Sequence, residues 1–599
     1  MRVADYVFNY LADHGIKDVF MVSGGGAMFL NDGLGKEQRI RYICNHHEQA
    51  CAIAAEGYAR TTGQLAVVSV TTGPGGTNTL TGVIGQWLDS IPVLYLSGQV
   101  KYSTTIDSCP HLELRQLGDQ EINIVDIVKP VTKYALTVTD PLQIRFELEK
   151  AIALALSGRK GPVWLDIPIN VQSMEIDPST LQGYVPPVEE NTCSLSSNRA
   201  SLQEIAALLL KARAPVIIAG HGIRLSEGIA QFKELVERIN CPVLSTFGGF
   251  DLIPTEHPCS IGRIGTIGTR AGNIALQNAD FILCLGSRNN IRQISYNWEN
   301  FAKKAQTFVM VDIDPAELKK PTLRVTHPVC MDIRTFLTGL LELLPTQEPA
   351  RWPHWLAWLI ERKQRYPTVL PEYHHVAKGV QPYVFTETLT RLLPETTTLT
   401  CTNATPSIAL FQAGIIKKGQ RLFANSGCAA MGYGLPASIG AACACKGLCV
   451  CLEGDGSLMM NLQELQTLVH YQLPVKLFLY SNGEYSSIRQ TQDHFFNLRH
   501  TGCDAQSGVS FPNWKNVVEA FGLPYQRIDS HDGLERNIRV ALEKPGPVFC
   551  EVVLTPGYLF LPKLSSRCLP DGQLVSPSLE DMYPFLPTTE LRENIYEES

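Results

Sequence analysis

Two stretches of this chain carry residue types whose spacing could do chemistry. In the first, an apolar run ends in Gly454-Asp455-Gly456-Ser457, and the next ends in Ser481-Asn482-Gly483. A carboxylate and a carboxamide at neighbouring strand ends are hard oxygen ligands, the kind Mg²⁺ takes, and that ion often completes its octahedral shell from a diphosphate. The glycines let backbone approach a phosphate closely, and the helix after Ser457 would add free amides and the positive end of its dipole. A Gly-Asp-Gly triplet alone is common; weight comes from the second strand end, one helix and one return strand later. The other stretch is Asn45-His46-His47-Glu48-Gln49-Ala50. Two imidazoles and a carboxylate in a row suit a metal site or a proton relay, and the spacing alone decides for neither.

Both stretches need elements to hold them. Short β-rich runs end in Gly, Ser or Asn turns and alternate with helical patterns along most of the chain: 65–76, 91–98, 214–222, 281–287 and 475–483 are examples. That alternation predicts parallel α/β domains, whose ligand sites lie at the carboxyl ends of strands. At 599 residues the chain is too long for one core. Polar, Pro-containing stretches at 184–201 and 344–375 read as linkers, the second carrying a short Trp-rich helix. The predicted architecture is three doubly wound parallel-sheet domains, 1–183, 195–345 and 375–558, with a tail or lid over 559–599. "KGPVWLDIPIN" (160–170) and "PGPVFCEVVL" (545–554) both run from a Gly-Pro-Val turn into a final strand, which hints that the first and third domains share a fold.

Composition narrows the function. A net charge of −7 with no dense Lys/Arg stripe argues against a nucleic-acid partner. No apolar run reaches membrane-spanning length, and the first fifteen residues read as an amphipathic helix, not a signal peptide, so the expectation is a soluble cytoplasmic protein. Seventeen cysteines fit a reducing compartment. The densest group, Cys443, Cys445, Cys449 and Cys451, lacks the paired two-residue spacings of zinc sites and reads as packing.

Gly-Asp-Gly followed by Asn about two dozen residues on resembles the metal–diphosphate signature of thiamine-diphosphate enzymes. "DVFMVSGGGAMFLNDGL" (18–34), "HEQACAIAAEGYAR" (47–60), "TTGPGGTNTLTGV" (71–83) and "MGYGLPASIGA" (431–441) are similar to segments of the acetolactate synthase group, in the same order, as is "VDIDPAE" (311–317) in the middle domain. The resemblance implies Asp455, the Asn482 side chain and the Glu484 carbonyl as metal ligands. It implies Gly24, Gly25, Gly75, Asn403, Met431, Gly454, Gly456 and Ser457 as cofactor contacts, with Met431 as the bulky support under a bent cofactor. Glu48 becomes the carboxylic acid paired with a pyrimidine nitrogen, in a pocket poorly solvated enough to favour proton sharing. Gln120 and His111 fall near the reacting groups. Arg288 and Asp312, with the turns at 263–273 and 284–290, stand where that group contacts FAD. Each cofactor would lie between the first domain of one chain and the third of another, so a homodimer or homotetramer is implied.

The chain also departs from the family. Thr491 stands where acetolactate synthase places a pocket-narrowing tryptophan, Val22-Ser23-Gly24-Gly25 replaces its pocket turn, and Thr402-Asn403-Ala404 replaces its Gly-Gln-His. The tail, with Lys563 and Arg567, resembles those of relatives that transfer a two-carbon unit from pyruvate to keto-sugar nucleotides. The expected function is decarboxylation of pyruvate or a related 2-oxo acid with transfer of the acyl unit to a larger carbonyl acceptor. Acetolactate synthase proper, a non-ligating decarboxylase or C–C hydrolase, and a catalytically silent regulatory subunit are the alternatives; intact Glu48, Asp455 and Asn482 argue against the last.

Overall fold

A computed structural model describes residues 1–187, 195–346, 351–568 and 573–597, without the side chains of 195–198, 567, 568 and 574. Each predicted block is built on a six-stranded parallel sheet. The first holds β1 (Asp18–Met21), β2 (Arg41–Cys44), β3 (Ala66–Val70), β4 (Val93–Gln99), β5 (Tyr134–Thr137) and β6 (Val163–Pro168). The second holds β7 (Pro215–Ala219), β8 (Val243–Ser245), β9 (Ser260–Arg263), β10 (Phe281–Leu285), β11 (Thr307–Asp312) and β12 (His327–Cys330). The third holds β13 (Thr398–Cys401), β14 (Arg421–Phe423), β15 (Cys449–Gly454), β16 (Val475–Ser481), β17 (Tyr525–Ile528) and β18 (Val548–Val553). Central strands such as β3, β4, β7 and β10 are buried along their whole length, as sheets covered by helices on both faces require.

The strand orders are β2-β1-β3-β4-β6-β5 in the first sheet and β14-β13-β15-β16-β18-β17 in the third. These are the same order, and the two Gly-Pro-Val turns lead into the equivalent strands β6 and β18. The middle sheet runs β12-β11-β10-β7-β8-β9.

The first and third domains share one apolar core through two crossing helices, Glu48–Thr62 and Gly434–Ala444. Small residues make the crossing close. A Cβ on Gly57 would stand 2.1 Å from the Ala437 carbonyl oxygen, and one on Gly440 would stand 1.8 Å from that of Ala54. Glycine inside a helix costs about 0.5–1 kcal/mol relative to alanine; here the close backbone approach requires it.

The 344–375 stretch is not a free linker. Its Trp-rich helix, Pro353–Arg365, joins the middle-domain core: Trp355 is buried and donates to the Pro215 carbonyl at 2.9 Å, and Trp352 donates to Ala212 at 2.8 Å. Burial of two indoles, each with its N–H satisfied, outweighs the Pro punctuation that suggested a linker. The C-terminal tail wraps back over the same domain. Arg270 donates to the carbonyls of Met582 and Pro584, Gln277 to Ser578, and Arg362 to Asn594. The Arg567 side chain lies outside the described residues, and burial holds the Lys563 ammonium below its usual pKa. No helix among the described residues is long and apolar enough to cross a membrane.

Replacing Gly440 with Val forces a branched side chain into backbone that is itself helical. Gly440→Val is expected to destabilise the chain by more than the about 1–3 kcal/mol typical of an overpacked core. A lowered urea midpoint by circular dichroism checks this, and unfolding in step with the parent protein would show that the crossing yields.

Candidate active site and three-domain cleft

β15 and β16 are paired neighbours, with Gly454 opposite Tyr480, so Asp455 and Asn482 leave the sheet side by side. Asp455 is buried and accepts only from backbone: Oδ1 from Gly456 N at 2.8 Å, Oδ2 from Asn482 N at 3.0 Å and Gly483 N at 2.7 Å. Burial pushes its carboxyl up to about 6 even though those three amides favour the charge. A buried carboxylate without a cationic partner among its hydrogen bonds fits a hard metal ion. Gly483 turns the loop at φ +74°, and the Asn482 carboxamide oxygen accepts from Glu484 N at 3.1 Å. The Tyr485 ring covers Gly456, where a Cβ would come within 2.2 Å of it.

The single amphipathic helix expected after Ser457 is not there. A one-turn helix, Asp455–Leu458, begins at the aspartate itself; a 3₁₀ turn, Leu462–Glu464, and the helix Leu465–His470 follow. Asn461 sits at the break, its amide donating to the Gly432 carbonyl at 2.8 Å. One turn carries little macrodipole, so the turn offers an anion little beyond its local amides.

Ser457 joins this turn to the Met431 loop. Its hydroxyl accepts from Gly432 N at 2.8 Å and pairs with the Thr402 hydroxyl at 2.5 Å. Gly432 has φ +82° and no room for a Cβ beside Asn461, which places half-buried Met431 next to the Gly454–Ser457 turn. Asn403 donates to the Ala429 carbonyl at 3.0 Å and lines the three-domain cleft described below.

On the first domain, Glu48 opens its helix. His47 caps that helix, its Nδ1 accepting from Gln49 N at 3.0 Å. The segment is anchored from the third domain by Glu464, which accepts from the Asn45 amide at 2.8 Å and from His46 N at 2.9 Å. Glu48 accepts from Asn78 at 3.0 Å and is half-buried, not sealed as expected. Gly24 and Gly75 both pack on Thr71, where added Cβ atoms would come within 2.5 and 2.8 Å of its methyl carbon; Gly25 faces open space. The Gln120 carbonyl lies over Gly73, and the side chains of Gln120 and His111 are exposed on the loop between β4 and β5.

Where the three domains meet, a cleft opens at the carboxyl ends of the middle strands. Arg288 and Asp312 line it, as do His221, Arg60, Asn403 and Asn425. The turns after β7 and β10 touch: a Cβ on Gly220 would stand 2.3 Å from the Gly286 carbonyl oxygen, and Gly286 has φ +58°. Burial pushes Asp312 up to about 6. Neither ring nitrogen of His221 has a hydrogen-bond partner, and both are sealed from solvent; burial, then the charges of Arg60, Arg421 and Arg224, hold the ring neutral. Such a ring is an exception to the rule that buried polar groups are hydrogen-bonded.

Buried charges close the floor. Arg60 bridges Glu56 at 2.8 Å and Asp89 at 2.6 Å, Glu56 accepts from the Tyr433 hydroxyl at 3.0 Å, and Arg421 binds both Asp251 at 2.8 Å and the Arg60 carbonyl at 2.9 Å. Burial would raise the Asp251 carboxyl, but Arg224 and Arg421 hold it at about 2. Arg421, sharing that one carboxylate with Arg224, is pulled down to about 9 by burial.

Glu464, His221, Glu56 and Tyr558 were not singled out in the sequence; the only signal was their place beside motifs that were. Elsewhere, His500, Cys503 and Asp504 bring ligand-capable atoms within 4.8 Å of one another, but the ring nitrogens of His500 are taken by Asp493 at 2.6 Å and Asp504 at 2.7 Å. Cys443, Cys445, Cys449 and Cys451 are free thiols, the last two buried in β15.

Three segments match families described as thiamine pyrophosphate enzyme domains: the N-terminal TPP binding domain over residues 1–125, the central domain over 202–340 and the C-terminal TPP binding domain over 405–552. Acetolactate synthase 2, chloroplastic, of Nicotiana tabacum is 31% identical over 572 residues, covering 94% of this chain and 83% of the relative. Acetolactate synthase isozyme 3 large subunit of Escherichia coli is 32% identical over 548 residues, covering 90% and 92%. The acetolactate synthase large subunit of Lactococcus lactis is 31% identical over 566 residues, covering 93% of each.

Proposed function

The chain belongs to the acetolactate synthase-like thiamine pyrophosphate enzymes, and from that premise we propose that it transfers an acyl unit from pyruvate or a related 2-oxo acid to a carbonyl acceptor larger than pyruvate. Thiamine diphosphate, when bound, supplies the carbon nucleophile and the electron sink for decarboxylation. The chain's own residues bind, orient and manage protons. Asp455, the Asn482 side chain and the Glu484 carbonyl would hold Mg²⁺ against the diphosphate, with Gly454, Gly456 and Ser457 offering backbone room and amides. Met431, fixed by Gly432, would brace the cofactor from below. Glu48 would hold a proton at the pyrimidine nitrogen, Asn78 keeping its carboxylate in place.

Glu48, Gln120 and His111 need a facing surface to exclude water. A second copy of the chain supplies it in this reading, making a homodimer the minimum assembly and a homotetramer a natural extension. The three-domain cleft is assigned to FAD: its touching glycine turns suit a pyrophosphate, Asp312 a ribose hydroxyl, and the His221 ring is part of the wall the ligand packs against. The partners are small molecules; neither nucleic acid nor membrane enters this reading.

The observation that carries the larger acceptor is Thr491. The helix Ser486–Phe495 is rooted at the metal loop, because Asn482 donates to Ser486 at 2.8 Å. Thr491 lies on that helix with its hydroxyl turned back to the Ser487 carbonyl at 3.0 Å, leaving a small exposed surface. A keto-sugar nucleotide is the largest acceptor this opening suggests. The names of the relatives favour a second reading, acetolactate synthase itself.

Glu48→Gln is expected to lose pyruvate-dependent CO₂ release by about 10²–10⁴-fold, the usual worth of a general acid–base group, while equilibrium dialysis still finds thiamine diphosphate bound; undiminished turnover would remove Glu48 from the mechanism. Mass spectrometry of products from pyruvate with keto acids, aldehydes and keto-sugar nucleotides should show a product larger than acetolactate, and Thr491→Trp should shift the yield toward the smaller acceptors. Acetolactate alone would decide for the second reading. The purified protein should absorb near about 450 nm, where oxidised flavins do, and His221→Ala should lose that chromophore more readily on dialysis; a colourless protein reconstituted with FAD and still colourless would empty the cleft of its assigned ligand.

A further inference from the structure

Tyr558, which lies between the end of β18 at Val553 and the tail, reaches into the loop that carries Asn482. Its hydroxyl lies 2.8 Å from the Asn482 amide nitrogen, 2.8 Å from the Thr405 hydroxyl and 3.0 Å from the Ser486 hydroxyl. Resting on the metal-site reading above, we infer that Tyr558 is a positioning residue for the divalent cation: it fixes which way the Asn482 carboxamide faces, and it ties metal loading to docking of the C-terminal tail.

The proton directions around the loop leave one arrangement. Arg489 pairs with the Glu484 carboxylate at 2.9 Å, and that carboxylate accepts from the Ser486 hydroxyl at 2.9 Å. Ser486 has no second proton, so its oxygen accepts from both the Asn482 amide at 2.8 Å and the Tyr558 hydroxyl. The Tyr558 proton is then committed to Ser486, and its oxygen accepts from Thr405 and from the other Asn482 N–H. Both amide protons of Asn482 are thereby placed on side-chain oxygens. The carboxamide oxygen faces the other way and accepts from Glu484 N at 3.1 Å, in the loop whose Asn482 and Gly483 backbone amides the Asp455 carboxylate holds. Turning the amide over would set its oxygen against Ser486, which has no proton to give, and its NH₂ against the Glu484 N–H.

The tail end of this contact is equally fixed. Gln490, on the same helix as Ser486, donates to the Tyr558 carbonyl and accepts from Phe560 N, each at 3.3 Å, and Leu561 N donates to the Tyr383 hydroxyl at 3.1 Å. Tyr558 is buried, so its hydroxyl is not replaced by solvent without moving the tail. Partners behind a metal ligand typically change metal affinity by about 10–100-fold.

The test is Tyr558→Phe, which keeps the ring and removes only the hydroxyl. The full-length protein is stripped with chelator, Mg²⁺ is titrated in the presence of thiamine diphosphate, and binding is followed by calorimetry. The half-saturating Mg²⁺ concentration should rise by about 10-fold or more, while the metal-free variant melts with the metal-free parent. A Tyr558→Phe titration that overlays the parent's, with Asp455→Asn failing to bind, overturns the positioning role and leaves the metal site standing. Asp455→Asn titrating like the parent overturns both. Weakened Mg²⁺ binding accompanied by an equal loss of stability in the metal-free protein would mark Tyr558 as structural only and also overturns the inference.

Discussion

Two helices pressed together at glycines set the positions on which the site depends. Glu48–Thr62 and Gly434–Ala444 approach so closely that backbone, not side chain, forms their contact, and neither can slide or rotate without collision. One helix begins at Glu48 and the other follows Met431, so the same contact fixes both residues within one chain, each on its own side of the crossing and, in the dimer reading, each for a different site. Glu464 adds a second hold, reaching from the third domain to the chain just ahead of Glu48. Packed interiors transmit such constraints because they have little free volume to absorb a shift.

Around this crossing the chain tolerates a dense set of buried charges. Glu56, Arg60 and Asp89 pair within the first domain, Arg421 pairs across to Asp251 of the middle domain, and the Arg421 hydrogen bond to the Arg60 carbonyl links the two groups, so the buried cluster touches all three domains. Buried pairs of this kind are weak contributors to net stability, since desolvation offsets most of their attraction. Their effect is on geometry: a displaced domain would leave a charge uncompensated. The cleft they floor is bounded by all three domains, and the His221 ring is part of its wall.

Much of this was legible in the sequence, and the limits have a physical cause. Local signals sufficed where chemistry and element coincide. Strand ends at Gly454 and Ser481, the turns after β7 and β10, and the repeated Gly-Pro-Val lead-ins to β6 and β18 carry their meaning within a few residues. Three domains and the Asp455–Asn482 pair followed from such signals, and Arg288 and Asp312 do share a cleft wall. Contacts made across the fold left no trace. Nothing near Glu464 announces Asn45, nothing near Tyr558 announces Asn482, and nothing in "AGHG" distinguishes an orphaned imidazole from a turn residue. The errors arose where one local signal was given too much weight. Prolines around the Trp-rich helix suggested a linker although its indoles are core, and an apolar pattern after Ser457 suggested one helix where Asn461 breaks it into short pieces.

The crossing has a symmetry that the strand orders anticipate. Each helix follows the second strand of its own sheet, so the two are equivalent elements of a repeated fold meeting face to face. The shift in numbering that carries Ala54 onto Ala437 carries Gly57 onto Gly440, so the Gly57–Ala437 contact is returned as Gly440–Ala54. That reciprocity is the mark of an isologous interface, here written within a single polypeptide: the chain is built as a dimer of itself about a pseudo-two-fold axis. The same shift carries Glu48 onto Met431. The two residues stand at one address in two copies of a single design, and the copies have diverged there into an acid and an apolar prop.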